Sequence, residues 1–134
     1  MLDTKARWLI NKPIKLIAQI MVKLHLTPNH ITIAAFIIGL IACYFIAIDR
    51  IIISVVLLWI SGSLDVLDGQ VARLTNTSSK SGALLDMILD RMVEGFFVLG
   101  FAISDYNMSI PVILFLIIVI FNFSTFLAAG ALLP

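Results

Sequence analysis

Between Ile31 and Ile48 the chain runs for 18 residues without a charged side chain, and between Ile110 and Leu133 for 24. A helix of 18 residues is about 27 Å long, close to the thickness of a bilayer's hydrocarbon core. A chain of 134 residues with runs this long is constrained to a membrane. Its composition agrees: 61% of residues are hydrophobic and 13% charged, against about 45–50% and about 25% in ordinary globular chains. The net charge of +1 gives no global field of the kind that gathers nucleic acid. Residues 1–24 lack the short apolar stretch and small-residue cleavage site of a secretory signal peptide. The single cysteine, Cys43, lies in an apolar run and reads as a small buried hydrophobe. No repeat at solenoid periods is visible.

Two further stretches complete an all-α, integral membrane bundle of four membrane helices. Ile51 to Leu64 is apolar, runs into Asp65, and is expected to stay helical to about Leu74. Gly82 to Ile103 is apolar except for Asp86, Asp90, Arg91 and Glu94. The breaks suit turns: Asp49-Arg50, the polar Thr75–Ser81 segment whose serines can cap the next helix, and Ser104–Ser109. Pro111 falls in the first turn of the last helix, where proline is tolerated.

Residues 1–26 form a separate unit ahead of the membrane domain, 27–134. On a helical wheel Ile10, Ile14, Ile17, Met21 and Leu24 fall on one side, and Lys5, Lys12, Lys15, Gln19 and Lys23 on the other. This predicts an amphipathic helix lying on an anionic membrane surface, with a kink or fresh start at Pro13 and with Trp8 suited to the interface. The alternative is a helix packed on protein. Lys5, Arg7, Lys12, Lys15 and Lys23, with Arg73 and Lys80, face Arg50 alone on the opposite side. The positive-inside rule then places the N-terminus and the Asp65–Ser81 region in the cytoplasm.

Asp65 and Asp68 are three apart near the end of one helix, and Asp86 and Asp90 four apart near the start of the next. Either spacing puts both side chains on one helical face. A short loop makes the two helices antiparallel neighbours, so the four carboxylates can converge. Gathered in a partly dry volume they repel one another and require cations. Hard divalent ions such as Mg²⁺ or Mn²⁺ prefer oxygen ligands, so a site for one or two metals fits, and two ions can serve in-line displacement at phosphorus. Salt bridges to Arg73 and Arg91 are the alternative, and could neutralise two acids at most. Gly69 and Gly82 would let a phosphate or nucleotide approach the backbone, and Arg73 offers a planar fork for phosphate.

Residues 65–90 match D-x2-D-G-x2-A-R-x8-G-x3-D-x3-D at all eight fixed positions: Asp65, Asp68, Gly69, Ala72, Arg73, Gly82, Asp86 and Asp90. This resembles the signature of the CDP-alcohol phosphotransferase family of phospholipid synthases, and Thr27–Thr32, TPNHIT, looks like the family's entry into its first membrane helix. The resemblance implies that the four aspartates hold two divalent metals and that Asp90 also takes the proton of the attacking hydroxyl. It implies that Gly69, Ala72, Arg73 and Gly82 line the CDP pocket, with Ser79 near the diphosphate and with Asn29 and Thr32 as further nucleotide contacts. The implied reaction moves a phosphatidyl-type group from a CDP-diacylglycerol-like lipid donor to a small or lipid alcohol acceptor, releasing CMP, at a cytoplasmic edge of the lipid bilayer. A homodimer is compatible with the resemblance. The N-terminal segment looks slightly more like that of inositol-phosphate-type members. Family members usually have six membrane helices, the last two helping to close the cavity and recognise the acceptor. The four read here imply a C-terminally shortened chain or one completed by a partner.

Glu94 continues the Gly82–Asp86–Asp90 stripe, where it faces the same cavity or forms a buried pair with an arginine, and Arg91 points off that stripe. His25 and His30 read as interfacial polar residues rather than metal ligands. The Phe115–Phe126 cluster is expected to meet lipid or another helix. Two rival functions remain on sequence grounds: a non-catalytic relative that kept the motif to bind CDP-lipid or a partner, and a divalent-cation transporter. The apolar far halves of the spans argue against the transporter.

Overall fold

The computed structural model describes residues 2–132, with side chains from 12 to 128. Met1, Leu133 and Pro134 lie outside the described residues, as do the side chains of Lys5, Arg7, Trp8 and Ile10. Among the described residues five helices follow one another: α1 (Leu2–Lys23), α2 (Pro28–Ala47), α3 (Ile51–Leu74), α4 (Lys80–Ser104) and α5 (Ser109–Leu132), with a 3-10 turn, Tyr106–Met108, before the last. The expected extension of α3 to Leu74 is present.

The helix ends follow from side-chain chemistry. Thr27 caps α2 by accepting from the His30 N–H, with Pro28 in the first turn. Ser79 caps α4 by accepting from the Gly82 N–H at 3.0 Å. At the C-termini, His25, Asn76 and Asp49 each take positive φ, 58°, 54° and 61°. Each sits two residues beyond its helix and is followed by a doubly bonded cap. After α2, for instance, the Asp49 N–H reaches Ile46 O at 3.0 Å and the Arg50 N–H reaches Phe45 O at 2.8 Å. These turns use Asp, Asn and His, which tolerate the left-handed region better than other side chains, in place of the more usual glycine.

α2 is the centre of the bundle. It packs on α3 and α4, while α1 packs on α3 and α5 on α4. Close approach of α2 and α4 depends on small residues. A Cβ at Gly39 would sit 2.7 Å from Val93 Cγ2 and 3.2 Å from Ser61 Oγ, and one at Gly100 would overlap Ile46 and come within 3.1 Å of the Cys43 carbonyl. Interhelical polar bonds add to this: Ser54 Oγ donates to Ala42 O at 2.7 Å, Ser61 Oγ to Ala35 O at 2.8 Å, and Cys43 Sγ to Val93 O at 3.6 Å. Such bonds contribute about 0.6 kcal/mol each between membrane helices. Cys43 is buried as expected, with this weak donor role besides.

Among the described residues, three helical segments are long and apolar enough to cross a membrane: Pro28–Ala47, Ile51–Leu74 and Tyr106–Ala128. The sequence reading gives four spans. The remaining candidate, α4, has 25 residues but carries Lys80, Asp86, Asp90, Arg91 and Glu94, which removes it on composition. The arrangement of α3 and α4 also differs from expectation. They are not backbone neighbours; each lies against α2, and their acids reach across the space between them.

α1 runs through Pro13 without interruption, so no new helix begins there. Its protein-facing stripe is Ile14, Ala18, Met21 and Val22, set against Leu64, Leu67 and Val71 of α3 and Ile31 of α2. Leu16, Ile17, Ile20 and Leu24 stay exposed. The apolar side read from the wheel is thus divided between protein and surroundings. Helical periodicity locates apolar residues, but a small residue such as Ala18, which permits the closest approach, decides which of them pack.

Candidate functional site

Asp65 and Asp68 lie on α3 and Asp86 on α4, and one carboxylate oxygen from each falls within 4.8 Å of the others. Asp90, one turn further along α4, stands outside this trio. It lines a small cavity of about 30 Å³ with Asp65, Asp86, Ser61, Gly62 and Thr32. The four acids therefore divide into a convergent three and a flanking fourth.

Among the described residues, no cation forms an ion pair with the trio. Neither Arg73 nor Arg91 reaches an aspartate within ion-pair distance; Arg91 instead pairs with Glu94 on its own helix, Nη2 to Oε1 at 2.5 Å. Glu94 lines neither cavity at the acids; it pairs with an arginine as one of its two readings has it, but the pair is partly exposed rather than buried. Asp68 is 5% exposed and accepts a hydrogen bond from the Thr32 hydroxyl. Asp86 Oδ1 is buried with no hydrogen-bond partner. A buried carboxylate oxygen without a donor is strongly disfavoured. An oxygen-rich set with an orphaned oxygen and no counter-charge is the donor chemistry a hard divalent cation satisfies, so the residues fit such an ion.

A second cavity, about 190 Å³, opens from Asp68 and Asp86 towards the α3–α4 loop. Its walls hold Asn29 and Thr32 from α2, Gly69, Ala72 and Arg73 from α3, and Ser79 and Gly82 from the start of α4. All seven residues assigned to nucleotide contact in the sequence reading thus meet in one cleft. Pro28, Thr77, Ser78 and Ala83 line it too. The two glycines leave it open: a Cβ at Gly69 would meet only Arg73 Nη2, at 3.6 Å, and one at Gly82 would press on Ser79 Oγ at 3.0 Å. Beyond it an outer recess of about 440 Å³ continues past Asn29, Thr77 and Ser79 to His25, Thr75 and Val22. The sequence marks His25 only as an interfacial polar residue and gives the loop threonines no individual role. The αL turns at His25 and Asn76 bring them together, and no local pattern marks those turns.

The cleft is electrically polarised. Its outer end receives the first turns of two helices, α2 through Pro28 and Asn29 and α4 through Ser79 and Gly82, and the Arg73 side chain lies in its wall beside Gly69. Helix N-termini carry partial positive charge and unpaired N–H groups that favour anions. Its inner end carries the aspartates. Such a surface accepts a polyanion at one end and a cation at the other.

Comparison with known proteins agrees with this geometry. A family model described as CDP-alcohol phosphatidyltransferase matches residues 25–132. The chain is 34% identical over 101 residues to an archaetidylinositol phosphate synthase of Pyrococcus horikoshii, covering 75% of this chain and 54% of that protein. It is 36% identical over 81 residues to a phosphatidylinositol phosphate synthase of Corynebacterium glutamicum, covering 59% and 36%. It is also 36% identical over 72 residues to a CDP-diacylglycerol–serine O-phosphatidyltransferase of Helicobacter pylori, covering 54% and 30%. The chain spans about half or less of the length of these relatives. No solved structure matches it. With three segments able to span a bilayer and a family model covering most of its length, the chain is an integral membrane protein that belongs to the CDP-alcohol phosphatidyltransferase family.

Proposed function

We propose that this chain transfers a phosphatidyl-type group from a CDP-linked lipid to an alcohol, releasing CMP. The observation that carries the proposal is the polarised cleft, whose anion-favouring outer end and acidic inner end suit a nucleoside diphosphate with divalent cations. Asp65, Asp68 and Asp86 would hold Mg²⁺ or Mn²⁺, with Asp90 placed to contribute to a second ion. The bound cations would supply charge neutralisation for the diphosphate and the leaving CMP.

The residues of the chain do the rest. Arg73 and the α2 and α4 N-termini bind the diphosphate, and Gly69 and Gly82 leave room for it beside the backbone. Asn29, Thr32, Ala72 and Ser79 complete the nucleotide side. The Asp90 carboxylate accepts the proton of the acceptor hydroxyl. As it does so, that oxygen bonds to the lipid-side phosphorus, and the bond from this phosphorus to the CMP oxygen breaks. Positioned general-base help of this kind contributes about 10²–10⁴-fold. Helix α4 serves as a fourth span with its acids turned into the cleft, and the cleft faces the cytoplasm with the basic N-terminus. Residues 1–26 lie along the membrane surface, Lys15 and Lys23 towards anionic headgroups and Leu16, Ile17, Ile20 and Leu24 towards acyl chains. The names of the Pyrococcus and Corynebacterium relatives make an inositol phosphate the first acceptor to test, with serine next after the Helicobacter relative.

Gly69→Ala separates substrate fit from folding. The added methyl meets ordinary contact within the protein, and replacing glycine inside a helix stabilises by about 0.5–1 kcal/mol. The same methyl occupies the cleft. The expected result is unchanged or higher thermal stability in detergent with KM for the CDP-lipid raised about tenfold, equivalent to roughly 1.4 kcal/mol. A variant with unaltered donor KM would show that the nucleotide does not pass Gly69.

A further inference from the structure

We infer that Thr32 is a positioning residue for the metal site, acting through Asp68, rather than chiefly a nucleotide contact. The inference rests on the metal-dependent reading of the aspartate cluster. The Thr32 hydroxyl, on the second turn of α2, donates to Asp68 Oδ2 on α3. A rival acceptor, the Pro28 carbonyl of its own helix, lies 3.1 Å away. One hydroxyl proton serves one acceptor at a time, and a bond to a carboxylate is charge-assisted and about twice as strong as one to a neutral carbonyl. The proton is therefore committed to Asp68, and Thr32 is itself only 7% exposed.

The consequence is directional. With Oδ2 accepting from α2, the Asp68 carboxylate is held in one orientation relative to Asp65 and Asp86, each of which has an oxygen within 4.8 Å of one of its own. Thr32 also lies in the walls of both the nucleotide cleft and the small cavity behind the acids, at the junction where Asp68 needs support. Outer partners of this kind commonly affect metal affinity by about 10–100-fold.

The test is Mn²⁺ binding to the purified full chain, followed by electron paramagnetic resonance without donor or acceptor. Thr32→Val keeps the shape and removes the donor, and should weaken Mn²⁺ binding by about 10–100-fold. Thr32→Ser keeps the hydroxyl and should bind close to wild type. In an Asp68→Asn background, Thr32→Val should add little further loss. If Thr32→Val does not fold, Thr32→Ala supplies the hydroxyl-free comparison. Wild-type Mn²⁺ affinity in the hydroxyl-free variant, with a raised KM for CDP-lipid, overturns the inference and makes Thr32 a nucleotide contact while leaving the metal reading intact. Equal losses in the serine and valine variants overturn it by assigning the effect to the methyl group. Failure of wild type to bind Mn²⁺ overturns the metal reading and this inference together.

Discussion

Asp90→Asn is expected to slow CMP release by about 10²–10⁴-fold while leaving the KM for the CDP-lipid near its wild-type value. The reason lies in how the acids are divided. Asp65, Asp68 and Asp86 converge, whereas Asp90 borders the small cavity beside them. A neutral amide of the same shape cannot take a proton from the acceptor hydroxyl, yet it leaves the trio and the nucleotide cleft in place. Steady-state CMP release with saturating metal, compared across donor concentrations, measures both quantities. Near-wild-type turnover would remove Asp90 from the chemistry. An equal loss that higher metal concentration repairs would make it a ligand only.

Asp86→Asn should have an effect of comparable size on activity but of different character. Asp86 borders both the nucleotide cleft and the small cavity, and its Oδ1 is the buried oxygen without a partner. Removing its charge relieves repulsion among three carboxylates that neither Arg73 nor Arg91 pairs with, so the metal-free protein should become more stable. In wild type, a metal at 100 times its dissociation constant stabilises the fold by about 2.7 kcal/mol. The variant should lose most of that gain, and with it turnover. Thermal unfolding in detergent with and without Mn²⁺ reads both effects. If metal stabilises Asp86→Asn as strongly as wild type, Asp86 is not a ligand.

Much of the site was legible in the sequence because it is written in helical spacing. Asp65 and Asp68, then Asp86 and Asp90, sit at intervals that share a face whatever the tertiary structure does, and the seven nucleotide-side residues do meet in one cleft. The helix limits were legible for a similar reason: hydropathy, Pro28 and the serine at position 79 act locally. Features depending on how helices meet were not legible. The Thr32–Asp68 bond joins residues 36 apart in sequence, and nothing near either residue announces the other. The central place of α2 depends on Gly39 and Gly100 allowing close approach to α4, which hydropathy does not encode. The face of α1 that packs is set by the smallness of Ala18, not by its apolarity. Composition also fails to classify α4, because the residues that equip it for chemistry are those that lower its apolarity.

The site's two ends make separate demands on the chemistry. An anion at two helix N-termini and Arg73 requires nothing of the aspartates, and a cation at the aspartates requires nothing of the loop. A CDP-lipid accompanied by divalent ions engages both at once, which a channel for cations or a protein that merely binds nucleotide does not require.

The most direct test is CMP release by the purified 134-residue chain from CDP-diacylglycerol in detergent or liposomes, with inositol phosphate or serine supplied as acceptor. The account predicts CMP formation that requires both acceptor and Mg²⁺ or Mn²⁺, stops on chelation and returns when metal is restored. CMP release that persists undiminished after complete chelation, or donor binding without release for any alcohol tried, would contradict it.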